Sequence, residues 1–333
     1  MKDFAGKVAF ITGGASGAGF GQAQVFSEAG MKVVIADVRD DYLAEAKDYF
    51  SAKKADVRTV KLDVTDREGY ANAADEVERV YGAPPDLLVL TAGVNVFGPA
   101  EASTFEDFDW VVGVLFGGVV NGLVTFAPRM IKAGKGGHIT ATVSWGAFGA
   151  DAITAPYRAA KAGVLNLMEC YYLALKPYGI GVSAICPANI KTRIYETAIK
   201  TRPEHLKNTG YHVTEETQEF LSTFHEHGME PYDLAQWHKK GIESGQFLII
   251  PYPSGPRMVE IEVERFVHYA TPEGTKLMDE LMNKPPSEEQ LKMMSEREGC
   301  EVTFNQSSLI TTSDTGIAKA RKDLDWVDKS KKL

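Results

Sequence analysis

The sequence predicts an α/β protein built on one parallel, doubly wound sheet, and three observations carry that prediction. Short apolar runs recur along the first 250 residues, each too brief for a helix. Helix-length segments separate them, and a glycine-rich turn lies between the first run and the first helix. Parallel neighbours need a crossover connection, normally a helix, so regular alternation specifies a sheet covered on both faces.

The elements follow in order. Residues Lys7 to Thr12 form an apolar run bounded by glycines, as expected of a buried parallel strand, and Lys32 to Ala36 form a second. Between them Gln22 to Ala29 reads as a helix closed by Gly30. Further along, Val57 to Leu62, Leu87 to Leu90, His138 to Val143 and Gly181 to Cys186 read as strands. Helices are expected over Arg67 to Tyr81, Phe105 to Ile131 and about Pro156 to Pro177. Residues 191–246 are polar and rich in His and Glu, and they interrupt the alternation before a last strand at Phe247 to Ile250. They are expected to be a helical lid over the substrate, with a surface excursion of no role as the alternative. The expected division is a sheet domain over 1–253 and a helical C-terminal extension with a Lys/Asp-rich tail over 254–333.

Composition narrows the class. Hydrophobic residues make up 44% and charged residues 24%, the balance of an ordinary globular protein. A net charge of -9 argues against a nucleic-acid partner, because phosphate binding needs concentrated Lys and Arg. Three scattered cysteines, Cys170, Cys186 and Cys300, offer neither a disulfide framework nor metal-ligand spacing, so a reducing cytoplasm is expected. His225 and His227 are two apart, which on a helix points them away from each other, and no metal site is expected. No run approaches the roughly 18 apolar residues of a membrane span, and the first strand begins too early for a signal peptide. The terminal Lys331-Lys332-Leu333 departs from the peroxisomal Ser-Lys-Leu address.

Thr12-Gly13-Gly14-Ala15-Ser16-Gly17-Ala18-Gly19 follows the first strand and opens the first helix. In that context glycines permit a tight turn and let backbone amides approach a pyrophosphate, whose charge the helix N-terminus favours. This marks a Rossmann-type dinucleotide site. Asp37 ends the second strand, where a carboxylate accepts hydrogen bonds from adenosine ribose hydroxyls and repels a 2′-phosphate, which selects NAD. Arg39, two residues on, keeps NADP as the secondary reading.

Tyr157 and Lys161 stand four apart at the start of an expected helix, so they share one face. An ammonium beside a phenol is expected to lower its pKa from about 10 and make it a usable acid/base. Ser144 follows a strand, and its hydroxyl is placed to hydrogen-bond the substrate oxygen.

These motifs together, in this order, resemble the short-chain dehydrogenase/reductase family over roughly residues 5–253. The resemblance implies that Gly13, Ser16, Gly17, Gly19 and Asp37 hold the cofactor, and that Asp63 and Val64 contact its adenine. It places Ala92 and Gly93 in the turn after the fourth strand and Pro187, Ile190 and Thr192 around the nicotinamide, with Ala188 in place of a usual glycine. It assigns the proton to Tyr157, the nicotinamide ribose to Lys161 and the alcohol or carbonyl to Ser144, and it implies a homodimer or homotetramer joined through helices near 105–132 and 156–178. Two positions depart from the pattern. Leu90-Thr91-Ala92-Gly93 replaces Asn-Asn-Ala-Gly, and Leu115 stands where many members carry an asparagine that holds a water on the proton path. Another group then supplies that path, or catalysis is slow, or the chain binds nucleotide without turnover.

A closer resemblance rests on Gly13 to Gly21, Thr91-Ala92-Gly93-Val94-Asn95, Pro187-Ala188-Asn189-Ile190-Lys191 and Ile249-Ile250-Pro251-Tyr252-Pro253. These segments are similar to the Cα-dehydrogenases of bacterial lignin-derived β-aryl ether catabolism, which implies a benzylic secondary alcohol oxidised to an aryl ketone with NAD. Trp145, Phe148, Phe97 and Tyr195 are the candidate substrate residues, since flat apolar area suits an aromatic ring. Other ketones, such as a steroid, polyketide or toxin, stay open because fold does not fix substrate.

Overall fold

The computed structural model describes residues 1–207, 209–212, 222–223 and 225–282. Seven strands are present: β1 (Val8–Thr12), β2 (Lys32–Asp37), β3 (Val57–Lys61), β4 (Leu87–Leu90), β5 (Gly137–Thr142), β6 (Ile180–Ile185) and β7 (Leu248–Ile249). They form one all-parallel sheet in the order β3-β2-β1-β4-β5-β6-β7. β1, β2 and β4 are almost wholly buried, which is why their sequences read as unbroken apolar runs. One rim of the sheet is β3, with Arg58 and Lys61 exposed on it, and the other is the two-residue β7.

The crossovers are α1 (Gly17–Glu28), α2 (Asp40–Ala52), α3 (Arg67–Tyr81), α4 (Phe105–Val112), α5 (Gly118–Ala133) and α6 (Ala155–Leu175). α2, unmarked in the sequence reading, buries Tyr42, Leu43, Ala46 and Phe50 against the core beside β2. A π-helical turn, Gly113–Gly117, joins α4 to α5, so Phe105–Ala133 runs on as one helix of 29 residues. By length and composition alone that helix would cross a membrane. Here it is a crossover of the sheet: α5 buries Leu123, Phe126, Met130 and Ile131, while Arg129 reaches Asp75 (2.6 Å) and Glu78 (3.2 Å) on α3.

The segment expected to be a lid divides in two. Its final part is α8 (Pro231–Ser244), which packs on α1 and the sheet and buries Leu234, Ala235, His238 and Ile242. The approach is close: a Cβ on Gly21 would lie 2.2 Å from the Pro231 carbonyl oxygen, so α1 needs glycine there. Residues 231–244 are therefore a helix of the sheet domain, and the insertion is shorter than 191–246. Its ends meet, with Lys191 N donating to Met229 O (2.9 Å) and Met229 N to Asn189 O (3.0 Å). Its described residues include a short helix, α7 (Thr197–Lys200). Beyond it Arg202 is buried in an ion pair with Asp107, which also caps α4 through Thr104, and Arg202 donates to Tyr211 O (3.0 Å). Both charges have further hydrogen bonds, which help a buried pair to be tolerated, while Arg202 Nε is buried with none.

Residues from Tyr252 form a second compact unit, whose described part is α9 (Gly255–Tyr269) and α10 (Pro272–Met282). Thr271 Oγ1 accepts from Gly274 N (3.0 Å) at the turn between them.

Two buried histidines give the fold an acid limit. His138 bonds Ser183 Oγ (2.9 Å), His238 bonds Thr140 Oγ1 (2.7 Å), and burial holds both at about 3. In the unfolded chain each titrates near about 6.5. Both states are neutral above that value; as pH falls towards 3 only the unfolded chain takes up the two protons, so stability is lost with acid. The two together contribute a slope of about 2.7 kcal/mol per pH unit below about pH 6. Urea unfolding between pH 7 and 4.5 checks this: His238→Gln should remove half of that slope, and an unchanged slope would contradict it.

Candidate active site

The chain runs outward in opposite directions from β1 and β4, and this reversal opens a crevice at the carboxyl ends of the strands. Thr12, at the end of β1, ties the two sides together. Its Oγ1 accepts from Thr91 N (3.1 Å) and Ala92 N (3.3 Å), which fixes the Ala92-Gly93 turn against the glycine-rich turn. Gly13 and Gly17 have positive φ, 65° and 51°. A Cβ on Gly19 would lie 2.1 Å from Gly13 O, so the turn folds back on itself as only glycine allows. Ser16 is the N-cap of α1, yet its hydroxyl makes no capping bond, which leaves the first amides of the helix for another acceptor.

Asp37 stands beside this turn, its Oδ2 accepting from Ala15 N (3.3 Å) and its Oδ1 from Arg39 N (3.1 Å). Burial raises its pKa, and those backbone amides oppose the rise. The Arg39 side chain is turned elsewhere: Nε donates to Asp41 Oδ1 (3.0 Å), and its Nη2 pairs with the other carboxylate oxygen. Asp63 is exposed and held in a turn with Thr65 N (2.9 Å), while Val64 is buried and its carbonyl accepts from Asn121 (2.9 Å). Across the groove Pro187 is buried and Ile190 half-buried, and Thr192 lies on the turn: a Cβ on Gly17 would be 3.1 Å from its Cγ2. A tight glycine turn, an uncapped helix N-terminus and a carboxylate beside them fit a dinucleotide.

Ser144, Tyr157 and Lys161 converge beside this groove. Ser144 follows β5, and its Oγ accepts from Gly146 N (3.0 Å). A Cβ on Gly146 would sit 3.4 Å from both Ser144 Oγ and Tyr157 Cε1, so serine and tyrosine flank one glycine. Lys161 is buried; its Nζ lies 5.7 Å from the Tyr157 ring centroid and donates to Thr142 O (2.7 Å). The electrostatics depart from expectation. Burial, more than any charge, acts on the phenol and raises its pKa, while the Ser144 hydroxyl and Arg158 draw it back. The same burial takes Lys161 down to about 8, so the ammonium is weakened before it acidifies its neighbour. Cys186 lies among these groups, its thiol pushed up to about 12 by burial.

Leu115 is fully buried in the π turn, packed with Val96, Val111, Ala160 and Tyr211, and Tyr157 lies against that cluster. The position of the family asparagine is thus apolar. Polar groups occur on another side instead, in a cycle that sequence reading missed. Gln22 Nε2 donates to Thr142 Oγ1 (3.2 Å), Thr142 and Thr91 hydroxyls bond (2.8 Å), and Thr91 Oγ1 donates to Gln22 Oε1 (2.7 Å). Gln22 Nε2 also meets His238 Nδ1 (3.0 Å), so the ring carries its proton on Nε2. The one sequence signal was the threonine at 91.

Among the candidate substrate residues, Trp145 and Phe148 pair at 5.4 Å between ring centroids, and Phe97 is half-buried. Tyr195 pairs with His225 at 5.8 Å and lines a cleft of about 510 Å³ with Gly17, Arg193 and Glu226. His227 Nδ1 bonds Thr223 O (2.8 Å), and the described residues hold no metal-ligating cluster. Asn95 Oδ1 is buried without a hydrogen-bond partner, next to Val96 of the Tyr157 cluster.

Residues 7–203 match the family model described as short chain dehydrogenase. The chain belongs to the short-chain dehydrogenase family. This short-chain dehydrogenase is 50% identical over 272 residues to a C alpha-dehydrogenase of Sphingobium sp. strain SYK-6, covering 82% of this chain and 89% of the relative. The apo form of LigD from the same organism is similar in structure, with a TM-score of 0.68 and 44% identity over 81% of this chain and all of that one. A short-chain dehydrogenase/reductase from Burkholderia phymatum in complex with NAD gives a TM-score of 0.77 at 31% identity, over 86% of this chain and all of that one. As a member of the family the chain is an oxidoreductase acting on CH-OH groups, with NAD(P) as cofactor, on small-molecule substrates. Members of the family are typically oligomeric.

Proposed function

We propose that this short-chain dehydrogenase interconverts a bulky aryl secondary alcohol and its ketone with NAD, in the cytoplasm. The observation that carries the reading is the meeting of Ser144 and Tyr157 across Gly146, one residue from the Trp145–Phe148 aromatic pair. The 50% identity to a C alpha-dehydrogenase supports an aryl carbinol as the class.

NAD is favoured over NADP because Asp37 is steadied by two backbone amides while the Arg39 fork is occupied by Asp41. A 2′-phosphate at that place meets the Asp37 carboxylate, and the Arg39 guanidinium is already paired with Asp41. Gly13, Ser16, Gly17 and Gly19 would hold the pyrophosphate, Asp63 and Val64 the adenine end, and Ala92, Gly93, Pro187, Ile190 and Thr192 the nicotinamide end. Among described cysteines Cys170 and Cys186 are free thiols, which suits a reducing compartment.

The bound nicotinamide supplies the hydride-accepting ring. Ser144 Oγ donates a hydrogen bond to the substrate oxygen and fixes the carbinol, and the Tyr157 hydroxyl is the group that exchanges the substrate's hydroxyl proton. Lys161, tethered by the Thr142 carbonyl, holds positive charge below the phenol and binds the nicotinamide ribose. The Gln22-Thr142-Thr91 cycle anchors Thr142 and so keeps that carbonyl in place, a polar support on a different side from the apolar Leu115. Trp145 and Phe148 give the aryl group apolar area beside the serine, while Tyr195 lies on the cleft by Gly17 and Arg193.

A panel read through NADH absorbance tests this. Aryl carbinols should give a kcat/KM at least tenfold above that of steroid alcohols, and NAD at least tenfold above NADP; steroid preference would overturn the aryl assignment while leaving the reaction type.

A further inference from the structure

Arg193 has no part in the chemistry above, yet its placement is unusual. Its guanidinium carbon lies 4.8 Å from the Tyr42 ring centroid, and that of Arg39 lies 4.3 Å from the same ring. Two guanidiniums gathered on one tyrosine repel each other unless negative charge is near. Arg39 has Asp41; Arg193 has no carboxylate partner among the described residues.

The elements involved come from opposite ends of the fold. Tyr42 sits in the first turn of α2 within the buried cluster under β2, so it is a fixed platform next to Asp37. Arg193 is exposed and follows Thr192, which rests on Gly17, and Arg193 and Gly17 line one cleft. The stack therefore joins the root of the insertion to the adenosine side of the groove, passing the pyrophosphate turn.

We propose that Arg193 is a cofactor-retention residue: docked on Tyr42, it closes a strap over the dinucleotide groove and places an unneutralised positive charge beside the pyrophosphate turn. This rests on the dinucleotide reading of the groove. Release of the cofactor then requires the Arg193–Tyr42 contact to part, so the two residues act as a unit. A cation over an aromatic face and a charge beside a diphosphate are each of the size that changes a release rate by about tenfold.

The test is the release rate of reduced cofactor, followed by nicotinamide fluorescence while an excess of the oxidised form traps the vacated site. Wild type is first titrated with NADH and NADPH, and the tighter one is used. Arg193→Ala should speed release about tenfold or more with the melting temperature of the unliganded protein unchanged. Tyr42→Phe, which keeps the ring, should release at the wild-type rate; Tyr42→Ala should match Arg193→Ala, and the double variant should be no faster than either single one. An unchanged rate in Arg193→Ala, or additive effects in the double variant, would overturn the strap alone. Wild type that binds neither cofactor would overturn the groove reading and the strap with it.

Discussion

Tyr157→Phe should lower kcat about a thousandfold while the Kd for dinucleotide moves less than about threefold. The substitution removes one oxygen and keeps the ring, so the contacts with Val96, Leu115 and Ala160 persist and the fold is spared. What is lost is the group that exchanges the hydroxyl proton. Steady-state rates on an aryl carbinol, together with a cofactor titration by fluorescence, check both halves. Turnover within tenfold of wild type would remove Tyr157 from the chemistry. A joint loss of turnover and cofactor binding would point to a structural defect.

Gly19→Ala should have the second-largest effect. A Cβ there would lie 2.1 Å from Gly13 O and 2.7 Å from Gly13 C, and both are backbone atoms of the turn itself. Relief requires the turn to open, which should weaken dinucleotide binding about a hundredfold and cost about 3 kcal/mol of stability. Gly82→Ala is the control. Its φ is 74° but a Cβ would meet nothing within 4 Å, so it carries backbone strain alone, about 1–2 kcal/mol. Calorimetric titration and urea unfolding of both variants separate the crowding of the turn from the general cost of losing a glycine. Equal cofactor affinity in the two would show that the Gly13–Gly19 approach has no role in binding.

Much of this site is written in short stretches of chain. The glycine-rich turn, Asp37 at a strand end, Ser144 and the Tyr157/Lys161 spacing are each local, and the parallel sheet follows from alternation. What stayed hidden depends on residues far apart. Gln22 and His238 are 216 positions apart and look like surface polar residues until α1 and α8 pack together. In sequence α8 resembles part of a polar lid because its buried face includes a histidine and a glycine among charged neighbours. The fall of Lys161 to about 8 comes from burial, which no spacing encodes. The dry surroundings of Leu115 depend on a π turn that a helical pattern does not announce. α2 was legible in principle, since Tyr42, Leu43, Ala46 and Phe50 recur at helical spacing.

The rims of the sheet bear on how copies of this enzyme meet. β7 exposes only two residues of backbone, and β3 sets Arg58 and Lys61 along its open side, so neither rim is a good template for a strand from another molecule. Association is left to helix surfaces, where Phe105, Phe108, Val124 and Leu173 show apolar area to solvent. Growth into fibrils by strand addition therefore has little edge from which to start.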